Sequence, residues 1–495
     1  MKKFVSLFGI FLVFSPLLTF SQTLLDAYRL SSEKINGTAR SAAMGNAFGA
    51  LGGDFTSLSI NPAGIAIYRS NEFEITPTAR FNNSDLSLLN GASFSDNKYS
   101  QAFNSIGYVG TMKTGSSGES GIVSFNLGIG YNNILDLSQN SYGMMDGSTS
   151  SYLDGIVNYA NQEALSNNYL NQNIGNIEYR DWPAKLAWDT YLMNPVKDAN
   201  GNTVDGQYQS ILYQNELVNQ QINYSYKGGI KEYLLAGGMN FDDKLYLGAT
   251  IGLRDVDMTK YKQYSENMTA DNSSFTYYED NYIKGSGYNL KFGLIYKPIN
   301  SVRLGLAFHT PTFYKINDNM KLTMESQLQQ TYSNYGRDLL DYRFNSPYKV
   351  VLSGAVVIEK IAIISVDGEM VDYSTMNYNN FNDLNSSIKD AFGNVFNFRM
   401  GGELRLTPNI SARAGYEMYP NPYKSNYMAA TDSKVGGDNS IYSFGLGYMG
   451  SGCFADLTFS NSVDKYNLYN PQPNFENLTL KNNNNQILFT LGFKF

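Results

Sequence analysis

Apolar and polar residues alternate along much of this chain with a period of two. From Val395 to Leu406 the even positions are apolar or small and the odd positions are polar or small. One face of such a strand suits lipid and the other suits water. The same alternation recurs in residues 245–253, 288–296, 302–308 and 487–495. A soluble β-sandwich also alternates in this way, so the lengths and connections of the strands have to separate the two folds.

Fourteen segments have the length and pattern of strands that cross a bilayer at a tilt. The predicted strands are Glu72–Asn82, Asn104–Lys113, Gly121–Asn133, Lys231–Asp242, Asp243–Arg254, Gly285–Lys297, Ser301–Tyr314, Ser346–Ile358, Ile361–Tyr373, Gly393–Leu406, Asn409–Tyr419, Ser440–Gly450, Gly452–Ser462 and Asn485–Phe495. Short turns follow the even-numbered strands, and long polar segments such as Asp255–Lys284 and Lys315–Asn345, predicted as loops, follow odd-numbered ones. This asymmetry is typical of an outer-membrane barrel with short periplasmic turns. The sequence therefore predicts an all-β fold, a 14-stranded antiparallel transmembrane β-barrel with both termini in the periplasm.

The two ends of the chain agree with export to the outer membrane. Lys2 and Lys3 precede an apolar run, and a small-residue pattern ends before Gln22, which predicts a signal peptide over residues 1–21. A retained membrane anchor is the alternative, and the Ser15-Pro16 pair that interrupts the run disfavours it. The alternating C-terminal residues that close on Phe495 resemble the signal read by barrel-insertion machinery, although an ordinary last strand fits them too.

Composition narrows the function classes. With 39 Tyr and 29 Phe the chain has material for aromatic girdles at both membrane interfaces. A net charge of −7 argues against nucleic acid as a partner. Cys453 is the one cysteine and His309 the one histidine, and no Gly-x-Ser-x-Gly motif is present. The sequence therefore predicts a non-enzyme without a cofactor.

A barrel of fourteen strands leaves a lumen that has to be filled or gated. Residues 22–71 precede the first strand and are rich in Gly and Ala, as a compact plug would be. Within them, Asn61-Pro62-Ala63-Gly64 interrupts an apolar run. Pro fixes φ and small residues permit a tight turn, so the chain can fold back inside the lumen. We expect a hatch at 22–71 and the barrel at 72–495; a periplasmic tail is the alternative for the former.

Three stretches carry a resemblance to a known family. They are RSAAMGNAFGALGGDFTSLSINPAGIA, LGLAFHTPTFYKI and NFRMGGELRLTPNISARAGYEMYPNPY, which begin at Arg40, Leu304 and Asn397. Together with the aromatic C-terminus they resemble the FadL/TodX family of outer-membrane transporters for hydrophobic compounds. The resemblance implies a hatch whose Asn-Pro-Ala element lies near its inner end. It also implies uptake of hydrophobic small molecules, most fittingly long-chain fatty acids, and hatch-gated release sideways into the membrane lipids.

The resemblance directs attention to particular residues. The long outer loop 134–230 contains helical patterns and both tryptophans, Trp182 and Trp188, which are candidates for cargo capture or for packing against the barrel rim. Inward-facing cations suit a carboxylate headgroup, or they balance luminal acids. The ligand-binding candidates are Trp182, Trp188, Arg399, Arg405, Arg413 and Phe48. Since the family has its wall gap in an early strand, Gly128 and Gly130 are candidates for that gap.

Other functions fit the same fold. A haem receptor would need His309 or tyrosine ligands. A passive porin would use the polar lumen, which a hatch argues against, and a surface adhesin would use the long loops. A lipolytic enzyme lacks a Ser, His and Asp/Glu grouping around the single histidine.

Overall fold

The computed structural model describes residues 24–87, 93–114, 121–359, 361–425, 427, 438–468 and 478–495. The predicted signal peptide lies outside these residues, as does most of the turn after Lys113. In the part of the chain that the structure describes, no helix is both long and apolar enough to cross a membrane.

Strands dominate the molecule. They are β1 (Glu72–Ser87), β2 (Ser93–Lys113), β3 (Ile122–Asp136), β4 (Gln139–Ser148), β5 (Met193–Lys197), β6 (Thr203–Ser210), β7 (Val218–Phe241), β8 (Leu245–Met268), β9 (Ser274–Ile299), β10 (Val302–His309), β11 (Phe313–Gln327), β12 (Thr331–Asn345), β13 (Lys349–Ile358), β14 (Ala362–Asp372), β15 (Asn377–Tyr378), β16 (Asn394–Arg405), β17 (Ile410–Tyr419), β18 (Asn439–Met449), β19 (Cys453–Leu468) and β20 (Leu478–Lys494). The helices are α1 (Leu24–Ser31), α2 (Ala39–Ala43), α3 (Ser57–Ile60), α4 (Tyr152–Gln162), α5 (Asn167–Leu170), α6 (Trp182–Asp189) and α7 (Asn382–Ala391), and 3₁₀-helices span Pro62–Ile67, Ile174–Asn176, Tyr179–Asp181 and Tyr373–Thr375.

The strands close into a 14-stranded antiparallel barrel, which confirms the predicted fold. β1 pairs with β20 from Glu72↔Lys494 to Ser87↔Thr479, so the sheet has no free edge at its ends. Four spanning strands are interrupted and carry two labels each: β3 with β4, β10 with β11, β12 with β13, and β14 with β15. The short hairpin β5–β6 forms a separate sheet.

The outward face of each long strand is apolar over only part of its length. On β8, Ile251 and Leu253 are exposed, and from Asp255 onward the outward residues are polar. On β9, the outward run from Tyr288 to Tyr296 is apolar. Nine residues of tilted strand match the thickness of a bilayer core. These runs define the lipid-facing belt of the barrel.

The predicted loops Asp255–Lys284 and Lys315–Asn345 are wrong. Both are hairpins, β8–β9 and β11–β12, whose ladders continue to Asn267↔Ser274 and Gln327↔Thr331. The prediction stopped where the outward residues become polar, but the backbone hydrogen bonds do not stop there. Inward residues such as Tyr264, Met268 and Phe275 pack in one cluster with α4 and α6, so the barrel extends well beyond the lipid-facing belt. We call this extended end the cap end and the opposite end, which carries Phe495, the short-turn end.

Residues 24–71, here called the hatch, lie inside the barrel against inward-facing glycines. Gly401 and Gly415 face each other across β16 and β17. A Cβ on Gly401 would lie 2.1 Å from the Met44 carbonyl oxygen, and one on Gly415 would lie 2.0 Å from the Gly45 nitrogen. Gly45 itself has a φ of +56°, which glycine adopts without strain. The hatch therefore touches the wall backbone to backbone at this point.

We predict that Gly401→Ala loosens the hatch, because the new methyl group collides with the Met44 backbone; overpacking of this kind costs about 1–3 kcal/mol. Limited proteolysis of residues 24–71 against temperature measures the effect. Gly402→Ala is the matched control, since its Cβ would lie 3.7 Å from the nearest atom, the Ile363 carbonyl oxygen. Equal protease sensitivity in the two variants would contradict the close-contact account.

Candidate functional site in the barrel lumen

The Asn-Pro-Ala-Gly stretch forms the start of the 3₁₀-helix Pro62–Ile67. Asn61 is its N-cap, and its Oδ1 accepts a hydrogen bond of 3.1 Å from the Ala63 N–H. Pro62 occupies the first turn, where it needs no N–H partner. The Asn61 Nδ2 donates to the carbonyl oxygens of Gly49, at 2.6 Å, and Leu294, at 3.1 Å. One amide therefore joins the turn to the hatch and to the wall.

Glycines on both sides make room for this turn. A Cβ on Gly293 of β9 would lie 1.9 Å from Asn61 Oδ1, and one on Gly248 of β8 would lie 2.3 Å from the Pro62 carbonyl oxygen. Within the hatch, a Cβ on Gly64 would meet the Gly52 Cα at 2.9 Å. The turn thus packs against the wall just before the chain leaves the lumen as β1. This position explains why the turn immediately precedes the first strand in the sequence.

Ion pairs hold the first part of the hatch. The Glu33 carboxylate lies 2.5 Å from an Arg254 nitrogen and 2.8 Å from Lys349 Nζ. Lys34 pairs with Asp464 at 2.7 Å. Burial alone would raise the pKa of the Glu33 carboxyl, but the positive charges of Arg254, Lys349 and Lys291 outweigh burial and hold its pKa well below its usual value. Glu33 is therefore ionised in the closed barrel.

Of the three arginines predicted as headgroup ligands, Arg399 and Arg413 are paired with carboxylates of the chain. Arg399 is buried, and it pairs with Glu369 at 3.3 Å and with Asp367 at 3.8 Å. Arg413 pairs with Glu403 at 2.7 Å and with Asp456. Arg405 is exposed at the short-turn end of β16. Their role as cargo contacts stays a prediction.

Two further sequence candidates also lie in the hatch region. Phe48 is fully buried, with the Arg40 guanidinium 5.4 Å from its ring centroid. His309 is buried on β10, and its Nε2 lies 2.9 Å from the Ile60 carbonyl oxygen. The imidazole is therefore engaged with the hatch backbone.

The tryptophans lie in the cap. Trp182 is buried at the start of α6, donates to the Ile177 carbonyl oxygen at 3.1 Å and packs on Gly336 of β12. Trp188 donates to Asn171 Oδ1 at 3.1 Å and meets the Tyr208 ring edge-on. Both indoles hold the helices of the cap together over the barrel mouth, and their role in cargo capture stays a prediction.

Below the cap, α1 lies in an apolar part of the lumen that we call the aromatic chamber. Its buried aromatic residues are Tyr314, Tyr342, Phe344, Tyr373, Tyr378 and Phe392. Ala27 and Leu30 of α1 are buried among them. The Tyr28 ring lies 5.5 Å from that of Tyr373. The hatch helix therefore fills this chamber.

A cavity of about 120 Å³ remains beside α1. Tyr28 and Lys34 of the hatch line it, as do Arg80 of β1 and Asp136 at the end of β3. Ligand sites that enclose drug-sized molecules occupy roughly 300–1,000 Å³. The cavity is thus too small for a long-chain cargo while α1 stays in place.

The barrel wall opens next to this cavity. β2 pairs with β3 from Ser105↔Asn132 to Lys113↔Ser124, and of the described strands none but β1 pairs with β2 between Ser93 and Asn104. The chain breaks between β3 and β4, and β4 pairs with β7 but leans into the lumen. There Asn82 of β1 donates to the Ser138 carbonyl oxygen at 3.2 Å. Between Ser93 and Asn104, one edge of β2 therefore has no strand partner among the described residues.

Polar side chains fix the break. Arg80 of β1 pairs with Asp136 and donates to Asn104 Oδ1 at 2.6 Å. Lys98 of β2 donates across the opening to the Tyr226 carbonyl oxygen at 3.0 Å. By contrast, the ladder is continuous on both sides of Gly128 and Gly130. These two glycines face the hatch, and a Cβ on Gly130 would lie 2.2 Å from the Phe55 ring. The opening lies farther toward the cap end.

Sequence reasoning did not single out Glu33, Arg254, Lys349, Arg80 or Asp136. That Arg254 faces inward could be predicted from the sequence, because Ile251 and Leu253 mark the outward face of β8. The partners were not readable, since each ion pair joins elements far apart in the sequence.

The fold and the lumen define a class: a 14-stranded antiparallel β-barrel with an N-terminal hatch inside its lumen. No protein-family model matches the sequence, and no curated protein matches it. Among solved structures, the toluene transporter TodX of P. putida is 12% identical with a TM-score of 0.52, covering 93% of this chain and 99% of that one. A FadL homologue of Pseudomonas aeruginosa is also 12% identical with a TM-score of 0.52, covering 94% and 99%. The predicted resemblance to FadL/TodX transporters is thereby confirmed for the fold.

We predict that Asn61→Ala frees the inner turn of the hatch, at a cost of about 1–3 kcal/mol, because two buried carbonyls lose their donor. Protease sensitivity of the hatch measures the change. Asn61→Ser keeps an N-cap oxygen but cannot reach both carbonyls, so we expect an intermediate effect. A Ser variant as labile as the Ala variant would show that the cap contributes nothing.

We also predict that the hatch stays anchored on acidification until the pH falls below about 4, the ordinary pKa range of a glutamate. A carboxyl with a lowered folded pKa stabilises above its unfolded pKa, and this contribution is lost as the pH drops through the folded value. A spin label on Leu25→Cys in a Cys453→Ser background reports the mobility of α1. In Glu33→Gln the acid-dependent rise in the mobility of the label should be missing. If the rise is unchanged in this variant, carboxyl groups other than Glu33 cause it.

Proposed function

We propose that the protein takes up long-chain fatty acids across the outer membrane, binding them in the lumen and releasing them sideways into the bilayer when the hatch rearranges. The observation that carries this proposal is the unpaired stretch of β2, Ser93–Asn104, beside a luminal cavity and behind a hatch. A pore for polar solutes needs no opening toward lipid.

Energetics favour a sideways path for an apolar cargo. Moving a methylene group from an apolar site into water costs about 0.8 kcal/mol, so a fatty acid that left through a watery lumen would meet a steep barrier. An exit through the wall at the level of β2 delivers the chain directly to membrane lipids. The outward residues Tyr99 and Phe103 of this strand are exposed and apolar, as a lipid contact requires.

The interior suits an amphiphile better than a plain hydrocarbon. The aromatic chamber offers apolar walls around Phe344 and Phe392, while Arg254 and Lys349 lie close by. An aliphatic chain fits the aromatic chamber, and a carboxylate fits Arg254 and Lys349. Of the structures whose fold this chain shares, TodX is a toluene transporter and another is a FadL homologue.

The proposed orientation places the cap end outside the cell and the short-turn end in the periplasm. The cap helices α4 and α6 present a large apolar cluster with the strand ends, where cargo is captured. Both chain ends then lie in the periplasm, where Phe495 is available to the insertion machinery during assembly.

We predict that blocking the opening stops uptake. Ser100→Cys in a Cys453→Ser background places a thiol on the face of β2 that Lys98 turns toward β4, and a bulky maleimide attached there fills the gap. Oleate uptake by cells without another route should fall to the level of cells that lack the protein.

Gln101→Cys, one residue along and outward-facing, is the matched control and should retain uptake after labelling. Full labelling of Ser100→Cys with undiminished uptake would place the exit elsewhere.

A further inference from the structure

Glu33 occupies a carboxylate-binding site that the barrel wall builds from two strands. Its oxygens lie 2.5 Å from an Arg254 nitrogen of β8 and 2.8 Å from Lys349 Nζ of β13. The Arg254 and Lys349 side chains are only 1% and 5% exposed. Both cations project from hydrogen-bonded strands, so they keep their places whether or not the hatch is present.

The neighbouring charges do not replace Glu33. Glu232 of β7 pairs with Arg254 Nε at 3.0 Å and with Lys291 Nζ at 2.6 Å. Asn289 also donates to Glu232 at 3.0 Å, so that carboxylate already has three partners. If Glu33 left, Lys349 and the outer edge of the Arg254 guanidinium would lose the carboxylate that they share. Glu369 would still act on Lys349 through its charge, but its carboxylate is already paired with Arg399 at 3.3 Å. Because an unpaired buried charge is costly, the site would demand another anion.

The residues just before Glu33 complete the picture. Ala27 and Leu30 of α1 fill the aromatic chamber. Tyr314 lies at the junction: its hydroxyl accepts a hydrogen bond from Arg254 at 2.8 Å and donates to the Leu30 carbonyl oxygen at 3.3 Å. The segment Leu24–Glu33 thus places apolar side chains in the aromatic chamber. At its end, the Glu33 carboxylate is bound to Arg254 and Lys349.

We propose that Arg254, Lys349 and the aromatic chamber form a binding site for an amphiphilic monocarboxylate, and that the segment Leu24–Glu33 is an internal competitor which occupies it in the closed barrel. The cargo's carboxylate replaces that of Glu33 and its chain replaces α1. This inference rests on the proposed function and adds the means by which cargo itself opens the hatch.

The displaced segment leads directly to the wall opening. Asn36, three residues after Glu33, forms a β-bridge with Asn133, beside the break between β3 and β4. The Lys34–Asp464 pair lies between these two contacts. Withdrawal of Glu33 therefore pulls on the backbone at the point where the wall is unpaired. A cargo without an anionic headgroup cannot replace the Glu33 carboxylate and so cannot withdraw the segment in this way.

Binding of oleate and of oleyl alcohol to the purified full chain in detergent tests the proposal. Glu33→Gln keeps the shape of the side chain and removes its charge, so it should bind oleate about tenfold more tightly than the wild type, a change of about 1.4 kcal/mol. Adding Lys349→Gln to Glu33→Gln should reverse that gain for oleate and leave oleyl alcohol binding unchanged.

Lys34→Gln is the matched control, because it removes the adjacent hatch ion pair without touching the carboxylate site. If it tightened oleate binding as much as Glu33→Gln, general loosening of the hatch would explain the gain and the competition would be refuted. The competition would also be refuted if adding Lys349→Gln weakened the binding of oleate and the binding of oleyl alcohol equally.

A second measurement uses the wild-type ion pairs. A spin label on Leu25→Cys, with Cys453 replaced by Ser, should become mobile when oleate is added and stay immobile with oleyl alcohol. Binding of oleate without mobilisation would overturn the competition but leave the proposed function standing. Absence of binding for both lipids in every variant would overturn the proposed function as well.

Discussion

Pairing of backbone N–H and C=O groups is the constraint on which the whole molecule depends. In the hydrocarbon core of a membrane, an unpaired peptide group cannot form a hydrogen bond with water. A membrane-spanning sheet therefore has to close on itself. Here β1 and β20 close it from Glu72 to Ser87, with an interruption at Thr76 and Pro77. The break after β3 leaves one edge of β2 without a strand partner among the described residues, and polar side chains such as Arg80 and Lys98 span it.

The same constraint explains how the hatch is held. A closed barrel of this width cannot fill its lumen with its own inward side chains, so a separate segment has to do so. Close backbone contact at Gly401 and Gly415, one amide at Asn61 and a few buried ion pairs fix that segment. Apolar contacts hold the hatch as well, since Phe55, Leu58 and Ile65 are buried in a cluster with wall residues. The hatch is therefore fixed by polar anchors and apolar packing together.

Much of the barrel could be predicted from the sequence, because its signal is local. Period-two alternation on Val395–Leu406 located β16 to within a residue at each end. The same signal failed beyond Arg254, where outward residues turn polar while the ladder of β8 continues to Met268. The inner turn was readable from Asn61 and Pro62. The Glu33 site was not, since its partners Arg254 and Lys349 lie more than two hundred residues away.

The continuation of β7, β8 and β9 past the lipid-facing belt means that the cap stands on a rigid collar of paired strands. Helices α4 and α6 are packed into the mouth of this collar and contribute nothing to the contact with lipid. The sequence of these helices can therefore change without altering the apolar belt of the barrel or the pairing of its strands.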